Sequence, residues 1–105
     1  MNIITKKAYL EAYLLQQTKI TRLQSLMHVN PKSSDRYIRQ IEKSELLREK
    51  IENDVDAVDG GILSEVLAQK YLCGKTLEEI ALMLDYSKRQ IERFHSRALD
   101  MLNIS

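Results

Sequence analysis

The chain has 105 residues, 30% of them charged, and its formal net charge at pH 7 is +1. A chain of this length forms one small domain, or one domain with a helical arm, and leaves little room for a deep substrate cleft. Only three glycines and one proline interrupt it, a composition that favours helices over strands or disorder. We therefore expect an all-α protein.

Cysteine content and the lack of long apolar segments indicate the compartment. The one cysteine, Cys73, cannot form an internal disulfide, and its position at the apolar end of a predicted helix favours a buried thiol. No segment approaches the length of a membrane span, and the N-terminus has no apolar run with a cleavage site. We expect a cytoplasmic protein without a membrane partner.

Residues 1–59 predict an antiparallel helical hairpin. Over residues 3–29 apolar side chains recur at spacings of three, four or seven, the pattern of an amphipathic helix. The Asn30-Pro31 pair ends that helix, and a second pattern covers about residues 36–56 or 36–58. Each helix carries more apolar surface than one partner covers, so the hairpin is also a candidate oligomerisation arm.

A second unit is predicted over residues 60–105. The Asp59-Gly60-Gly61 run breaks the second helix, and apolar spacing predicts a third from Ile62 to Gly74, where glycine suits the position after a helix end. This helix is expected to pack behind the last two helices of the chain, so the natural boundary between the units lies close to Ile62.

Two further helix starts follow the same pattern. Thr76 precedes Glu79 by three residues and Ser87 precedes Gln90 by three, the spacing of a capping box. The apolar periods that follow predict helices over about residues 77–84 and 88–102. The short link between them contains Asp85, one of the few residue types other than glycine that adopts the left-handed conformation readily.

Together these two helices have the features of a helix-turn-helix. A small residue at Ala81, the turn residue Asp85 and the apolar residues Ile91 and Phe94 stand at the offsets that this motif requires. From Ile62 to Leu102 the chain resembles region 4 of the sigma-70 family. The matching residues are Gly74, Thr76 to Ala81, Ser87 to Arg93, and Arg97-Ala98-Leu99.

The whole chain also resembles the small late-transcription regulators of phages and prophages of Gram-positive bacteria, of the ArpU and RinA type. These resemblances imply a helix-turn-helix protein that binds double-stranded DNA, switches on phage or mobile-element genes and contacts host RNA polymerase. The chain departs from the sigma pattern at Asp85, where glycine is usual, and at Glu92, where a basic residue is frequent.

Charge is distributed unevenly along the chain. Residues 1–39 contain seven basic and two acidic side chains, residues 40–65 three and eight, and residues 66–105 six and five. In the last part the basic residues concentrate on the final helix, and local rather than net charge is what a DNA phosphate meets.

The outward face of the final helix is the predicted DNA-reading surface. Successive residues of a helix are about 100° apart around its axis. If Ile91 and Phe94 point inward, four residues on or beside the outward face are therefore candidates for contact with bases in a major groove. These are Arg89, Gln90, Arg93 and Ser96. The candidates for phosphate contact lie at helix starts or beside this face. They are Lys75, Thr76, Ser87, Lys88 and Arg97.

No pattern in the sequence predicts catalysis, a cofactor, a metal site or a small-molecule substrate. His28 and His95 lack cysteines or carboxylates at ligand spacing. The acidic residues between Glu42 and Asp59 alternate with apolar residues at helical spacing, which favours a solvated helix face. No phosphate-binding loop, nucleophile elbow or nuclease motif is present.

Three functional hypotheses remain after these exclusions. The first is a sequence-specific DNA-binding transcription regulator, acting as a homodimer on paired half-sites or with RNA polymerase, because one short reading helix gives modest affinity. The second is the DNA-recognition subunit of a phage packaging machine, which a ring-shaped oligomer would favour. The third is a protein that binds RNA polymerase or a sigma factor through its acidic middle without contacting DNA.

Overall fold

The protein is helical throughout in a computed structural model that describes residues 1–105. Helix accounts for 82% of the chain and no strand is present, which confirms the all-α prediction. The α-helices are α1 (Ile3–Val29), α2 (Ser34–Asp56), α3 (Ile62–Leu67), α4 (Leu77–Leu84) and α5 (Lys88–Met101). A 3-10 turn (Pro31–Ser33) joins α1 to α2, and a π-helical segment (Ala68–Leu72) continues α3.

Helix α1 begins and ends where the sequence predicts. At its start the Asn2 side chain accepts a hydrogen bond from the Thr5 amide at 2.8 Å, which satisfies one of the free N–H groups of the first turn. At its end the Asn30 amide donates to the Leu26 carbonyl at 2.8 Å before Pro31 turns the chain. Helix α2 begins two residues earlier than expected, because Ser34 is already helical.

Helices α1 and α2 lie side by side and run in opposite directions. The Tyr9 hydroxyl donates to Asp54 at 2.5 Å, and Tyr13 bonds to Glu52, so the partner's number falls as the α1 number rises. Asp54 also accepts bonds from Lys50 and from the chain end at Ser105. Although burial opposes its charged form, these hydrogen bonds hold the pKa of Asp54 below its usual value.

One apolar core connects the two halves of the chain. Its eleven buried residues come from α1, α2 and the turn after it, α3, the π-helical segment, and the end of α5 with the residue that follows it. They are Leu10, Tyr13, Ile51, Val55, Val58, Leu63, Leu67, Tyr71, Ala98, Leu99 and Leu102. Residues 1–59 and 60–105 therefore share a core, and α1 lies against the last turn of α5 instead of projecting freely from it.

A smaller core joins α3, α4 and α5. Val66, Ile80 and Ile91 are fully buried in it, and Ala81 is nearly so. Phe94 and Leu84 cover the edge of this cluster.

The third helix differs from its prediction after Leu67. Instead of one α-helix up to Gly74, the chain widens into a π turn in which the Cys73 amide donates to the Ala68 carbonyl at 3.0 Å. Gly74, with φ of 75°, then ends the element as expected.

The expectation of a buried thiol is wrong, because Cys73 is exposed. Tyr71 faces the core, and a helical residue two positions later points to the opposite side.

Other burial assignments also depend on which helices meet. Leu10, Leu99 and Leu102 are among the most buried residues, whereas Met101 is exposed. None of the helices, including the 27-residue α1, combines the length and the apolar content needed to cross a membrane.

The shared core predicts that truncating a buried side chain of α1 destabilises the C-terminal helices as well. Leu10→Ala removes a fully buried side chain and should lower the free energy of unfolding by about 2 to 5 kcal/mol. Urea denaturation followed by circular dichroism should still show one transition, because both halves lose packing together.

Leu15→Ala is the matched control on the same helix. Leu15 is 58% exposed, so its truncation should change the stability by no more than about 0.5 kcal/mol. Two separate transitions in the Leu10→Ala protein, with only one of them shifted, would contradict a common core.

Candidate nucleic-acid interface

A capping box begins α4. The Thr76 hydroxyl accepts a hydrogen bond from the Glu79 amide at 3.1 Å, and the Glu79 carboxylate accepts one from the Thr76 amide at 3.1 Å. Both bonds of the predicted box are present. The hydrogen bond from the Thr76 amide, with a smaller effect of the Thr76 side chain, lowers the pKa of the Glu79 carboxyl group, as expected for an anion at a helix N-terminus.

The turn between α4 and α5 depends on one left-handed residue. Asp85 has φ of 60° and ψ of 45°, as its residue type predicts. The next amide, that of Tyr86, donates to the Ala81 carbonyl at 3.0 Å, which satisfies one of the free carbonyls at the end of α4. The Tyr86 ring then packs edge-on against Phe94 of α5, with the ring centroids 5.1 Å apart.

Helix α5 begins at Ser87 with only half of the predicted capping box. The Ser87 hydroxyl accepts a hydrogen bond from the Gln90 amide at 3.1 Å, but the Gln90 side chain does not bond back to Ser87. The prediction of a full box is therefore wrong here. A neutral amide gains less from the partial positive charge of a helix N-terminus than the Glu79 carboxylate does.

The buried and exposed faces of α5 are clearly separated. Ile91, His95, Ala98 and Leu99 are buried, whereas the predicted base contacts Arg89, Arg93 and Ser96 are exposed and Gln90 is half-buried. Together with Glu92 and Arg97, these three exposed residues line a shallow surface depression of about 460 Å³. The structure thus brings Arg89, Arg93, Ser96 and Arg97 onto one surface, with Gln90 at its edge.

The arginines on this surface have no acidic partner. The protein contains three ion pairs within 4 Å, and none of them involves Arg89, Arg93 or Arg97. Glu92, the one acidic residue beside them, lies 3.9 Å from Lys88 instead. The guanidinium groups are therefore available to an external anion or to base edges.

The predicted phosphate contacts do not form one group. Lys75, Thr76 and Lys88 line a separate open cleft of about 690 Å³, beside α1 and the π-helical segment. The Lys88 ammonium lies 2.8 Å from the Glu78 carboxylate, and this hydrogen-bonded ion pair raises the pKa of Lys88. Arg97 belongs to the depression on α5, and Ser87 stands at the exposed start of that helix.

A buried His95–Tyr71 pair supports α5 from the inside. His95 Nε2 and the Tyr71 hydroxyl are 2.8 Å apart, and the two rings stack with their centroids at 5.7 Å. Burial, with a smaller effect of Lys70 and Lys7, lowers the pKa of His95 to about 4. Sequence reasoning did not assign His95 to the core, although its position four residues after Ile91 and four before Leu99 is a signal of burial.

No group of three or more histidine, cysteine, aspartate or glutamate side chains is arranged to hold a metal ion. Comparison of the chain with protein-family models, with curated proteins and with solved structures finds no match.

The left-handed turn predicts a clear difference between two substitutions at one position. Asp85→Val should destabilise the protein by about 1 to 2 kcal/mol, because a β-branched residue is strained at positive φ. Asp85→Gly should retain the full stability, because glycine adopts this conformation without strain. Thermal denaturation of both variants tests the difference, and equal melting temperatures would contradict a role for the turn conformation.

The lowered pKa of His95 predicts that the protein loses stability in mildly acidic solution. Its folded-state pKa of about 4 lies below the ordinary 6.5, so the unfolded chain binds the proton more tightly between these pH values. The contribution of His95 is complete above pH 6.5 and is lost as the pH falls toward 4, by at most about 1.4 kcal/mol per pH unit. Urea denaturation at pH 7 and pH 5 measures the change.

His95→Gln is the control for this titration. Glutamine can still bond to the Tyr71 hydroxyl but does not titrate. The dependence on pH between 7 and 5 should therefore be shallower in the variant than in the parent protein. An identical dependence in both proteins would show that other groups cause the loss.

Proposed function

We propose that the protein is a sequence-specific DNA-binding transcription regulator that reads the major groove with α5. One observation carries the proposal: the exposed face of α5 presents three arginines without acidic partners, while its opposite face is buried against the rest of the protein. A rigid helix with an unpaired cationic face suits insertion into the major groove.

The residue types on this face suit base recognition. Arginine binds the O6 and N7 atoms of guanine through two hydrogen bonds, and glutamine can do the same with N6 and N7 of adenine. Arg89 and Arg93 are one helical turn apart, which suits contact with neighbouring base pairs, and Ser96 continues the same side. Each well-formed pair contributes about 1 to 3 kcal/mol of discrimination against a wrong base.

The backbone at the start of α5 suits a phosphate. The Gln90 amide is bonded to Ser87, whereas the earlier amides of the turn have no acceptor within the helix. The partial positive charge at a helix N-terminus favours an anion there. Lys88 is the weakest of the proposed phosphate contacts, because Glu78 already neutralises it.

We further propose that α4, the Asp85 turn and α5 act as a helix-turn-helix of the sigma region 4 type, and that α1 and α2 act as a helical hairpin supporting it. Support comes from the short link between α4 and α5 and from the left-handed Asp85. The resemblance to phage regulators makes control of phage or mobile-element genes the proposed role. A homodimer or a complex with host RNA polymerase would raise the modest affinity of one reading helix.

The proposal predicts that charge reversal on α5 abolishes site selection. Purified protein is incubated with random and source-genome DNA fragments at two salt concentrations, and the bound fragments are sequenced. The parent protein should enrich a defined site, and the Arg89→Glu, Arg93→Glu variant should not. A paired site would indicate a dimer, and a single site would indicate a monomer or a need for a protein partner.

The Arg89→Lys, Arg93→Lys variant is the matched control, because it keeps the charge and removes the two-bond contact with guanine. It should retain attraction to DNA but lose about 10-fold or more in preference for the site. Enrichment of no site at either salt concentration would overturn the proposal. Function retained after charge reversal would favour a protein-binding role.

A further inference from the structure

The hairpin tip, defined here as residues 19–43, concentrates positive charge far from α5. It comprises the part of α1 that follows Thr18, the turn at Pro31–Ser33 and the first part of α2. The tip has six basic and two acidic side chains, whereas the rest of the chain has ten and thirteen. The six basic residues are Lys19, Arg22, Lys32, Arg36, Arg39 and Lys43.

These cations are exposed and without acidic partners. All six side chains are exposed, and none takes part in the three ion pairs of the protein. Elsewhere in the protein lysines form ion pairs with carboxylates: Lys50 bonds to Asp54 and Lys88 bonds to Glu78. The charge of the tip is therefore available to an external anion.

Charges of opposite sign are separated around α2. Arg36, Arg39 and Lys43 have spacings of three and four residues, so they form one stripe along the helix. Glu42, Glu45 and Glu49 form a second stripe, also at spacings of three and four residues. Asp35 and Glu42 stand four and three residues from Arg39 and so border the basic stripe, but neither forms an ion pair with it.

We propose that the hairpin tip is a second DNA-binding surface that contacts the phosphate backbone of duplex DNA independently of sequence. This inference deepens the proposed function and rests on it, because α5 would bring the duplex to the protein. Phosphates attract unpaired lysine and arginine side chains in any sequence, and each neutralised phosphate releases counterions. The α2 stripe supplies three such contacts along one line.

The side chains of the tip favour duplex DNA over other anionic partners. Its one tyrosine, phenylalanine or tryptophan, Tyr37, is buried, and the imidazole of His28 is its single exposed ring. The tip therefore lacks the series of aromatic side chains on which successive bases of a single strand stack. Its large exposed apolar side chains are Val29 and Ile38, too few for the apolar centre of a typical protein interface. The rest of the exposed surface of the tip consists mainly of polar and positively charged side chains.

The tip lies at some distance from α5 along α1. Lys6 of α1 bonds to the Leu99 carbonyl near the end of α5, at 2.7 Å. The start of α5 borders the same cleft as Leu14 of α1, and Arg22 lies about 12 Å beyond Leu14 along that helix, at 1.5 Å per residue. The molecule is 52 Å long. The tip would therefore touch phosphates outside the segment of DNA that α5 reads.

The test compares DNA affinities of the full-length protein over a salt series. The probes are a duplex with the site selected by the parent protein and a shuffled duplex of equal length. The variant Arg36→Ala, Arg39→Ala, Lys43→Ala should bind both probes more weakly by a similar factor. Between about 50 and about 200 mM salt, the parent protein should lose about 40-fold more affinity than the variant, because three phosphate contacts have gone.

A charge-preserving variant, Arg36→Lys, Arg39→Lys, Lys43→Arg, separates electrostatics from structure. It should keep the affinity and salt dependence of the parent protein. Circular dichroism should show the same helix content in all three proteins, because the exchanged side chains are exposed. A salt dependence unchanged by the alanine variant would overturn the tip proposal and leave the role of α5 intact.

Failure of the α5 proposal gives a different result. Binding to both probes with equal affinity, weakened by the alanine variant and not by Arg89→Glu, Arg93→Glu, would support the tip and overturn reading by α5. Absence of binding to either duplex would overturn both. Binding of an acidic protein through the tip, with no effect of the alanine variant on DNA, would assign the surface to a protein partner.

Discussion

The contact between the first and last helices is the constraint on which the rest of the structure depends. Leu10 and Val55 share one apolar core with Leu99 and Leu102, residues more than forty positions away in the chain. At its edge the Lys6 ammonium donates to the Leu99 carbonyl at 2.7 Å, a favourable place for a cation near a helix C-terminus. Because this core includes residues of α1 and α2 as well as of the C-terminal helices, the two halves of the chain stabilise each other.

Helix α5 is consequently fixed along its length. Its start is capped by Ser87, its middle is held by Ile91 and by the His95–Tyr71 pair, and its end is buried in the shared core. The edge-on contact of Tyr86 with Phe94 links the turn to the same helix. Rigidity of this kind matters for the proposed reading of DNA, because side chains on a fixed helix present their hydrogen-bonding groups at little entropic cost.

The charged groups of the protein are of two kinds, those with partners inside the protein and those without. Buried Asp54 receives hydrogen bonds from Tyr9, Lys50 and Ser105, so the only deeply buried acidic group is satisfied and holds the chain end in place. The arginines of α5 and the cations of the hairpin tip, by contrast, have no partners within the protein. The near-zero net charge therefore conceals two cationic surfaces, on both of which the proposed DNA contacts depend.

The sequence by itself determined the bounds of α1 and α4, the capping box at Thr76 and the turn at Asp85, because these depend on residues within a few positions of one another. It also identified the exposed arginines of α5, since helical period alone separates them from Ile91. Only the tertiary structure decided that Cys73 is exposed, that Lys88 pairs with Glu78, and that Leu10 meets the end of α5. These outcomes depend on contacts between distant segments and on the π turn after Leu67, and local spacing contains no information about either.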